Sequence, residues 1–375
     1  MDKIGYKMDI PKTISEKLDF TGADYQQIMK RLSIIDSFKG SWETIELRDS
    51  KHLKELRKIA TIESIGSSTR IEGATLSDKE VEKLLKSLKV TKLESREQQE
   101  VVGYYEALQV VLDNYQDIEI TERYIHQLHS ILLKHSNKDQ KHKGKYKTLS
   151  NQVVANYPDG TQRTIFKTTD PALTAKEMED LMVWLKERLA ESDMHPVITT
   201  AAFVYEFLST HPYQDGNGRL SRLLTTLLLM KQGYKFTQYV SFENIIEERK
   251  EAYYRALMDG QKNRYEPSES MEKWVLFFLE SLVELTNRLE AKYETYSKLK
   301  VILNKRQQQV VAYLREKETA KIKDIQESLE NYSRNTIKKD LAYLVNEGII
   351  IKTGAGRGVE YHLYHRNFPS HPPHD

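Results

Sequence analysis

The nine residues HPYQDGNGR (211–219) separate two apolar segments of the chain. Before them, apolar residues recur over 197–208 at the spacing of one broad helical face. A second apolar segment, 218–231, follows without a spacer. The proline, aspartate and glycine inside the nine residues favour a turn. The pattern therefore predicts buried helices over 195–210 and 218–231, joined by a turn that is rich in reactive groups.

A turn accounts for the proline, the aspartate and the first glycine of this run, but not for its other polar groups. The N-terminus of a helix presents unpaired N–H groups and a positive dipole end, which together bind phosphate. Gly216 and Gly218 let an anion approach the backbone closely. Arg219 and Arg222 are three residues apart, so they project from the same first turn, and two guanidinium groups suit a polyphosphate. These features predict a nucleotide-phosphate site.

Two further side chains add a metal ligand and a base to this site. Asp215 could hold a divalent cation through oxygen, and Mg²⁺ suits a site made of one carboxylate and several phosphates. His211, at the end of the preceding helix, faces the same gap, and its ordinary pKa of about 6.5 suits a general base near neutrality. The residues alone thus predict a nucleotide-phosphate site with a metal ion and a base.

The run HPYQDGNGRLSR resembles the signature of the Fic family, a His-Pro-aromatic-x-Asp-Gly-Asn-Gly-Arg sequence with a second Arg three residues later. GKYK (144–147), the segment 153–169 and YYRAL (253–257) are similar to other elements of that family. The resemblance covers roughly residues 50–285. It implies an all-α fold, in which a Fic-type helical bundle carries a small β-hairpin flap.

The resemblance implies transfer of AMP from ATP to a Tyr, Thr or Ser hydroxyl of a target protein or of the chain itself, with release of pyrophosphate. ATP would be the substrate and Mg²⁺ the metal ion. His211 would deprotonate the target hydroxyl, and Asp215 would hold Mg²⁺. Arg219 would lie near the β-phosphate and Arg222 near the γ-phosphate. The other residues of the phosphate site would be Gly216, Asn217 and Gly218.

The same resemblance assigns residues to the flap and to the adenine side. Val153 and Val154 would belong to the flap that positions the protein substrate. Tyr254 and Gln261 would lie near the base. Some relatives have Asn where this chain has Gln261, so the chain departs from the family's pattern at the base contact.

The stretch SSTRIEG (67–73) by itself predicts only the end of a helix, with Gly73 as the stop. It also resembles the inhibitory helix of the Fic family, in which Glu pairs with the second arginine of the motif. The resemblance implies that Glu72, with Ser68 in the same helix, blocks the γ-phosphate by pairing with Arg222, because a carboxylate and a guanidinium can pair bidentately. Such an enzyme could also remove AMP, with Glu72 orienting water.

Periodicity and capping signals predict most of the other elements. The pattern SDKE (77–80) is a capping box, and two β-rich runs around Pro158-Asp159-Gly160 indicate a hairpin. Residues 1–50 carry few periodic signals and suggest an arm packed on the rest. Further helices are predicted over 51–67, 77–88, 94–114, 121–135 with Thr121 as its cap, 174–191, 243–261 and 270–300.

After residue 300 the pattern reads helix, helix, helix, hairpin, as in a winged helix-turn-helix. Ser333 would cap a recognition helix over 333–347, which Gly348 would end, and IIIKTGAGRGVEYHLY would form a two-stranded wing. Residues 301–367 hold twelve basic and eight acidic residues, a mild excess for a DNA-binding module. DNA and protein, including a second copy of the chain, stay open as its partners.

The whole chain of 375 residues suits several domains. We predict an N-terminal arm with the inhibitory helix (1–90), a Fic catalytic domain (91–300), a winged-helix-like domain (301–367) and a disordered tail (368–375). Cys is absent, which excludes disulfides, thiolate metal sites and a Cys nucleophile. The longest strongly apolar run, 223–230, is too short to span a bilayer, so the cytoplasm is the expected location.

Two other functions are compatible with these residues. One is a transcription regulator whose Fic-like domain only senses nucleotide, although a sensor would not need the base His211. The other is transfer of a different phosphate-linked group, such as UMP or phosphocholine, or kinase-like transfer, because the motif recognises phosphates better than bases. A homodimer is compatible with either.

Overall fold

The computed structural model describes residues 12–47, 50–88, 92–156, 162–299, 303–347, 349–354 and 356–363. The chain separates into two compact units, one of residues 1–43 with 54–291 and the other of residues 44–53 with 292–375. The first unit contains HPYQDGNGR, and the second contains the C-terminal helices and strands. The predicted tail, 368–375, lies outside the described residues. The sequence predicts four segments, whereas the structure separates the chain into two units, so the boundaries of the four segments stay a prediction.

Helices make up most of the first unit, and one small hairpin interrupts them. In chain order the elements are α1 (Gly22–Glu46), α2 (Ser50–Ile71), α3 (Asp78–Ser87), α4 (Arg96–Asn114), α5 (Glu122–Leu132), β1 (Gln152–Asn156), β2 (Gln162–Lys167), α6 (Pro171–Glu191), α7 (Pro196–Thr210), α8 (Asn217–Lys231), α9 (Phe242–Glu248), α10 (Lys250–Gln261) and α11 (Glu272–Leu299). No helix within the described ranges has both the length and the apolar character that crossing a bilayer requires.

Helix α1 is the main element that the sequence did not predict. Residues 1–50 suggested an arm, yet 25 of them form one continuous helix. Its buried side chains are Ile28, Leu32, Ile35 and Trp42, which follow a helical repeat. Met29, which is also apolar, is exposed beside them, so the apolar face is narrow and its repeat is hard to recognise in the sequence.

The predicted helix starts are confirmed where capping residues were identified. Ser77 and Glu80 form a capping box at α3, with the Ser77 N–H donating to Glu80 Oε2 at 2.8 Å. The Thr121 hydroxyl accepts from the Tyr124 N–H at 3.2 Å and caps α5. The helix predicted over 243–261 is instead two helices, because the chain breaks at Arg249 between α9 and α10.

Helices α7 and α8 are the buried centre of the first unit, as the apolar segments predicted. All residues of α7 from Val197 to Thr210 are buried. In α8 the same holds from Arg219 to Met230. The two helices pack on each other, and α4, α5 and α6 lie against them. The turn between α7 and α8 therefore begins and ends in the core, which fixes the position of its side chains.

The predicted hairpin is confirmed in strands β1 and β2, which pair antiparallel. Val153 lies opposite Phe166 and Val154 opposite Thr164, so one residue is bulged between them. Strand β2 lies near α10, which gives the hairpin a surface to pack on. The predicted turn residues, 157–161, fall outside the described ranges.

The second unit contains α12 (Lys305–Lys317), β3 (Thr319–Lys321), α13 (Ile322–Ser328), α14 (Arg334–Asn346), β4 (Ile350–Thr353) and β5 (Glu360–Leu363). Ser333 caps α14 as predicted, and Ile337, Leu341 and Leu344 on its apolar face are buried. The sheet has the order β3-β5-β4, so the predicted wing gains a third strand that is too short to show alternation in the sequence. Gly348, the predicted end of α14, is outside the described residues.

Candidate active site

The turn between α7 and α8 depends on two positive φ angles. His211 follows the last residue of α7 with φ 50° and ψ 60°, a left-handed conformation that is uncommon for a residue with a side chain. Gly216 precedes α8 with φ 84°, which glycine adopts without strain. The turn comprises the six residues 211–216. His211 lies at its start, and the first N–H groups of α8 lie at its end.

Asn217 holds this turn closed. Its Oδ1 accepts from the Tyr213 N–H at 2.8 Å, and its Nδ2 donates to the Tyr213 carbonyl at 2.7 Å. The side chain is 1% exposed, so both bonds are shielded from water. Because its amide is used in this way, Asn217 holds the turn while its backbone N–H stays at the start of α8.

His211 is only partly exposed, and its imidazole is neutral near pH 7. Burial, followed by the nearby charge of Lys147, lowers the pKa of His211 to about 4. Nδ1 lies 3.3 Å from the Leu208 carbonyl oxygen, which can only accept, so Nδ1 carries the hydrogen. Nε2 therefore keeps its lone pair and can receive a proton.

Asp215 lies among cations. Its Oδ1 accepts from the Gly216 N–H at 2.6 Å and from Arg219 Nη2 at 3.1 Å. Its Oδ2 is 3.5 Å from Arg96 Nη2 and 3.8 Å from Lys138 Nζ. Burial by itself raises the pKa of Asp215, but these neighbours outweigh it and lower the pKa. The carboxylate is therefore ionised.

Arg219 is a buried cation with unused donors. The residue is 2% exposed, and its closest carboxylate besides Asp215 is Glu100, 3.7 Å from Nη1. Within the described part of the chain, Nε and Nη1 of Arg219 have no hydrogen-bond partner. Buried donors of this kind are normally paired, so these two nitrogens are suited to an anion such as phosphate.

Arg222 is bound by helix α2. Its Nη2 donates to Glu72 Oε1 at 2.8 Å and to the Ser68 carbonyl at 2.9 Å, and its Nε donates to Ser68 Oγ at 2.8 Å. The Arg222 side chain is 3% exposed and that of Glu72 is 33% exposed. The pair that the resemblance implied is therefore present, with Ser68 rather than a second carboxylate oxygen on Nε.

Gly218 explains how the Glu72 carboxylate reaches this position. A Cβ atom at Gly218 would lie 2.2 Å from Glu72 Oε1, which is far inside van der Waals contact. Only glycine lets the carboxylate approach the first turn of α8 this closely. Glu72 Oε1 thus lies against the α8 backbone at Gly218 and bonds to Arg222 at the same time.

Of the remaining predicted residues, Gln261 contacts the helix that leads into the turn. Tyr254 and Gln261 are both buried on α10, and Gln261 Nε2 donates to the Ser209 hydroxyl in the last turn of α7. Val153 is buried in β1. Val154 is placed as a strand residue only, since its side chain is not among those described.

His129 is a residue of the site that the sequence did not reveal. The Gly144 N–H donates to Nδ1 at 2.9 Å, so Nε2 carries the hydrogen and donates to the Asp215 carbonyl at 2.9 Å. The ring also stacks on Tyr213 at 3.8 Å, and burial lowers the pKa of His129 to about 4. His129 therefore supports the turn from α5, although nothing in the sequence of that helix distinguishes it from His126.

These observations define a helical protein with a candidate polyphosphate site at the start of a buried helix, beside a neutral imidazole. Residues 119–229 match the Fic/DOC family, and residues 306–359 match the DeoR-like helix-turn-helix domain. The chain therefore contains a Fic domain, and it carries a C-terminal winged-helix-like domain.

Curated relatives are similar to the chain in sequence over its Fic domain. The chain is 30% identical over 207 residues to protein adenylyltransferase Fic of Drosophila willistoni, and also to that of Drosophila melanogaster. The match spans 55% of this chain and 39% of each relative, so much of the relatives' length has no counterpart here.

Two solved structures share the fold. A Fic family protein from Desulfovibrio desulfuricans is 20% identical with a TM-score of 0.60, and the match covers 94% of this chain and 99% of that one. Fic-1 from C. elegans is 22% identical with a TM-score of 0.55, and the match covers 73% of each chain.

We predict that Asn217→Ala opens the turn. Losing the amide leaves the Tyr213 N–H buried without its acceptor and removes one donor from the Tyr213 carbonyl, which should lower the free energy of unfolding by about 1–3 kcal/mol. Thermal unfolding measures this change, with exposed Asn137→Ala as the control. Equal melting temperatures for the two variants would show that Asn217 does not hold the turn.

Proposed function

We propose that the chain is a self-inhibited protein adenylyltransferase, which moves AMP from ATP to a Tyr, Thr or Ser hydroxyl of a target protein or of itself. The observation that carries this proposal is the Glu72 carboxylate on Arg222 and against Gly218, at a helix N-terminus suited to phosphate. The match of residues 119–229 to the Fic/DOC family and the similarity to adenylyltransferase relatives support the reaction type.

The proposed reaction assigns a separate task to each side chain. His211 Nε2 takes the proton of the substrate hydroxyl as its oxygen attacks the α-phosphorus of ATP. The bond from that phosphorus to the bridging oxygen of the β-phosphate breaks, and pyrophosphate leaves. The free donors of Arg219 and the first N–H groups of α8 stabilise the charge that moves onto the leaving group. Tyr254 and Gln261 lie on the adenine side.

Mg²⁺ fits this site only together with the nucleotide. In the described ranges, no group of three or more His, Asp or Glu side chains is arranged to hold a metal ion. Asp215 is a single ionised carboxylate, and Mg²⁺ is commonly bound by one carboxylate plus substrate phosphates. When bound, Mg²⁺ would neutralise phosphate charge. We therefore propose Asp215 as its protein ligand and ATP as the source of the other oxygens.

Glu72 would inhibit the enzyme by competing with the γ-phosphate. Both groups are anions that would form an ion pair with Arg222, and the carboxylate already lies beside the α8 backbone. ATP that enters without this contact would hold its α-phosphate away from in-line attack. The same carboxylate could orient water for removal of AMP, an activity that would require Glu72 rather than be inhibited by it.

We predict that His211→Ala abolishes labelling of protein by ATP carrying the isotope at the α-phosphate, and leaves ATP binding intact. The imidazole lies beside the phosphate site rather than in it. His142→Ala is the matched control. In the active chain, labelling should stay level from about pH 8 to 6, because a His211 pKa of about 4 keeps the base neutral there. Full labelling by His211→Ala would remove His211 as the base.

We predict that Glu72→Gly raises self-labelling by orders of magnitude, because misplaced reacting groups cost about a hundredfold in rate. Adding Arg222→Ala should remove most of the gain, since the γ-phosphate needs the freed guanidinium. The measurement compares these two variants and the wild type with α-labelled ATP. Equal labelling in wild type and Glu72→Gly would exclude self-inhibition by Glu72. Label from the γ-phosphate, or preference for UTP, would point to the other transfer reactions.

We infer DNA binding by the winged-helix-like domain as a second function, which would make the chain a regulator as well as an enzyme. Helix α14 is in the position that enters the major groove in helix-turn-helix proteins. Its exposed first turns carry Arg334, Asn335, Lys338 and Lys339. The match to a DeoR-like helix-turn-helix domain supports this surface as an interface. The predicted boundaries 1–90, 91–300 and 301–367 are proposed as the division between these functions.

We predict that Lys338→Ala with Lys339→Ala weakens binding to a duplex oligonucleotide. If both ammonium groups contact phosphates, the slope of log K against log salt should fall by about two. Fluorescence anisotropy at several salt concentrations measures the slope, with Lys317→Ala on α12 as the control. An unchanged slope, or no binding at low salt, would favour a protein partner or a second copy of the chain.

A further inference from the structure

Lys147 is a buried lysine for which the proposed reaction has no use. The residue is 4% exposed, although lysine is seldom buried without a carboxylate beside it. Its ammonium group donates to three neutral oxygens instead: Asn151 Oδ1 at 3.0 Å, Thr168 Oγ1 at 2.9 Å and the Thr210 carbonyl at 2.9 Å. All three protons of the ammonium group donate hydrogen bonds, so Lys147 connects three segments of the chain.

Two of those segments are the roots of the hairpin. Asn151 directly precedes β1, and Thr168 directly follows β2. The Thr168 hydroxyl also donates to Asn151 Oδ1 at 2.5 Å, which ties one root to the other. The ammonium group of Lys147 therefore fixes the base of the hairpin on both sides.

The third segment is the turn that carries His211. Thr210 directly precedes His211, and the Lys147 N–H donates to the Pro212 carbonyl, which follows it, at 2.8 Å. Asn151 Nδ2 adds a bond to the Tyr213 carbonyl at 2.7 Å. The backbone on either side of the imidazole is thus bonded to Lys147, which also holds the hairpin.

We propose that Lys147 is a positioning residue that locks both hairpin roots to the turn carrying His211, so that a protein segment held along the hairpin presents its hydroxyl to the imidazole. This proposal rests on the adenylyl transfer proposed above. Lys147 touches neither ATP nor the hydroxyl in this scheme. A hairpin that is not fixed would allow the substrate hydroxyl to move away from His211 Nε2. A misplacement of about 1 Å costs about a hundredfold in rate.

The charge of Lys147 gives a second readout. Besides burial, the charges that act on His211 are Lys147 in the loop before β1, Glu72 at the end of α2 and Asp215 in the turn. Lys147 lowers the pKa of His211 and the two carboxylates raise it. Removing the ammonium group therefore raises the pKa of His211.

The pKa of Lys147 itself lies close to neutral pH. Burial lowers the pKa of Lys147 to about 8, while Glu177 and Asp170 on the α6 side raise it and Arg264 lowers it. The ammonium form predominates below that pH, so its influence on His211 operates across the acid side of the rate profile.

The test uses the full chain with Glu72→Gly as the reference and α-labelled ATP as the probe. Lys147→Met should lower self-labelling about tenfold to a hundredfold and move the acid limb of the rate profile to higher pH. Exposed Lys145→Met, two residues away, is the matched control and should stay within about twofold of the reference. The affinity for ATP, measured by calorimetry, should be unchanged in both.

Hydrogen exchange tests whether Lys147 fixes the hairpin to the turn, independently of enzymatic activity. Amides of β1 and β2 should exchange faster in Lys147→Met than in Lys145→Met. If Lys147→Met fails to fold, Asn151→Ala removes one acceptor at a less buried position and should shift labelling and exchange in the same direction. Equal exchange in the lysine variants, weaker ATP binding in Lys147→Met, or an unmoved acid limb would overturn the proposal. A reference chain that does not label would instead refute adenylyl transfer, and exchange alone would then decide the role of Lys147.

Discussion

The contacts of one guanidinium group, buried in the second turn of α8, determine how the whole candidate site is arranged. Arg222 is almost fully enclosed, and a buried charge is tolerated only when anions or carbonyl oxygens surround it. Helix α2 supplies them through Glu72 and Ser68, and Gly218 makes room for the carboxylate. Because an unpaired buried charge is costly, Glu72 can leave only when another anion replaces it. In our account that anion is the γ-phosphate, so one contact both stabilises the resting fold and restrains the reaction.

The turn that faces this ion pair is held by groups that do not take part in the chemistry. Asn217 closes it from within, His129 supports it from α5, and Lys147 ties it to the hairpin. His129 and His211 are both neutral imidazoles, and both nitrogens of His129 are bonded. In His211 only Nδ1 has a hydrogen-bond partner among the residues that the structure describes. The difference in bonding, rather than in pKa, separates the positioning residue from the proposed base. A preorganised turn of this kind reduces the rearrangement that the reaction would require.

The sequence predicted what is local and missed what depends on distant contacts. The motif, its flanking helices and the capping residues Ser77 and Thr121 are encoded within a few positions and could be read directly. The pair of Glu72 with Arg222 joins residues 150 positions apart, and only resemblance to a family suggested it. Lys147 belongs to GKYK, which resembled a family element, but nothing in the sequence indicated that its ammonium group bonds to the hairpin and the turn. His129 gave no signal, because a His in a helix looks the same in a sequence whether it is solvated or buried.

Two elements were missed for a different reason. Helix α1 has a narrow apolar face, and strand β3 has only three residues, so neither produces a clear period. Lys138 lies in a polar and basic stretch that gives no periodic signal either, and its side chain lies near Asp215. In each case tertiary packing, rather than local preference, gives the segment its role.

The central claim is that the Glu72 carboxylate and the γ-phosphate compete for Arg222. Calorimetric binding of ATP and of AMP to the wild type and to Glu72→Gln tests it most directly, because this substitution keeps the side-chain shape and removes the charge. The account predicts that Glu72→Gln binds ATP about tenfold more tightly, a difference of about 1.4 kcal/mol, and binds AMP as the wild type does. Unchanged affinity for ATP, or an equal gain for ATP and AMP, would contradict it.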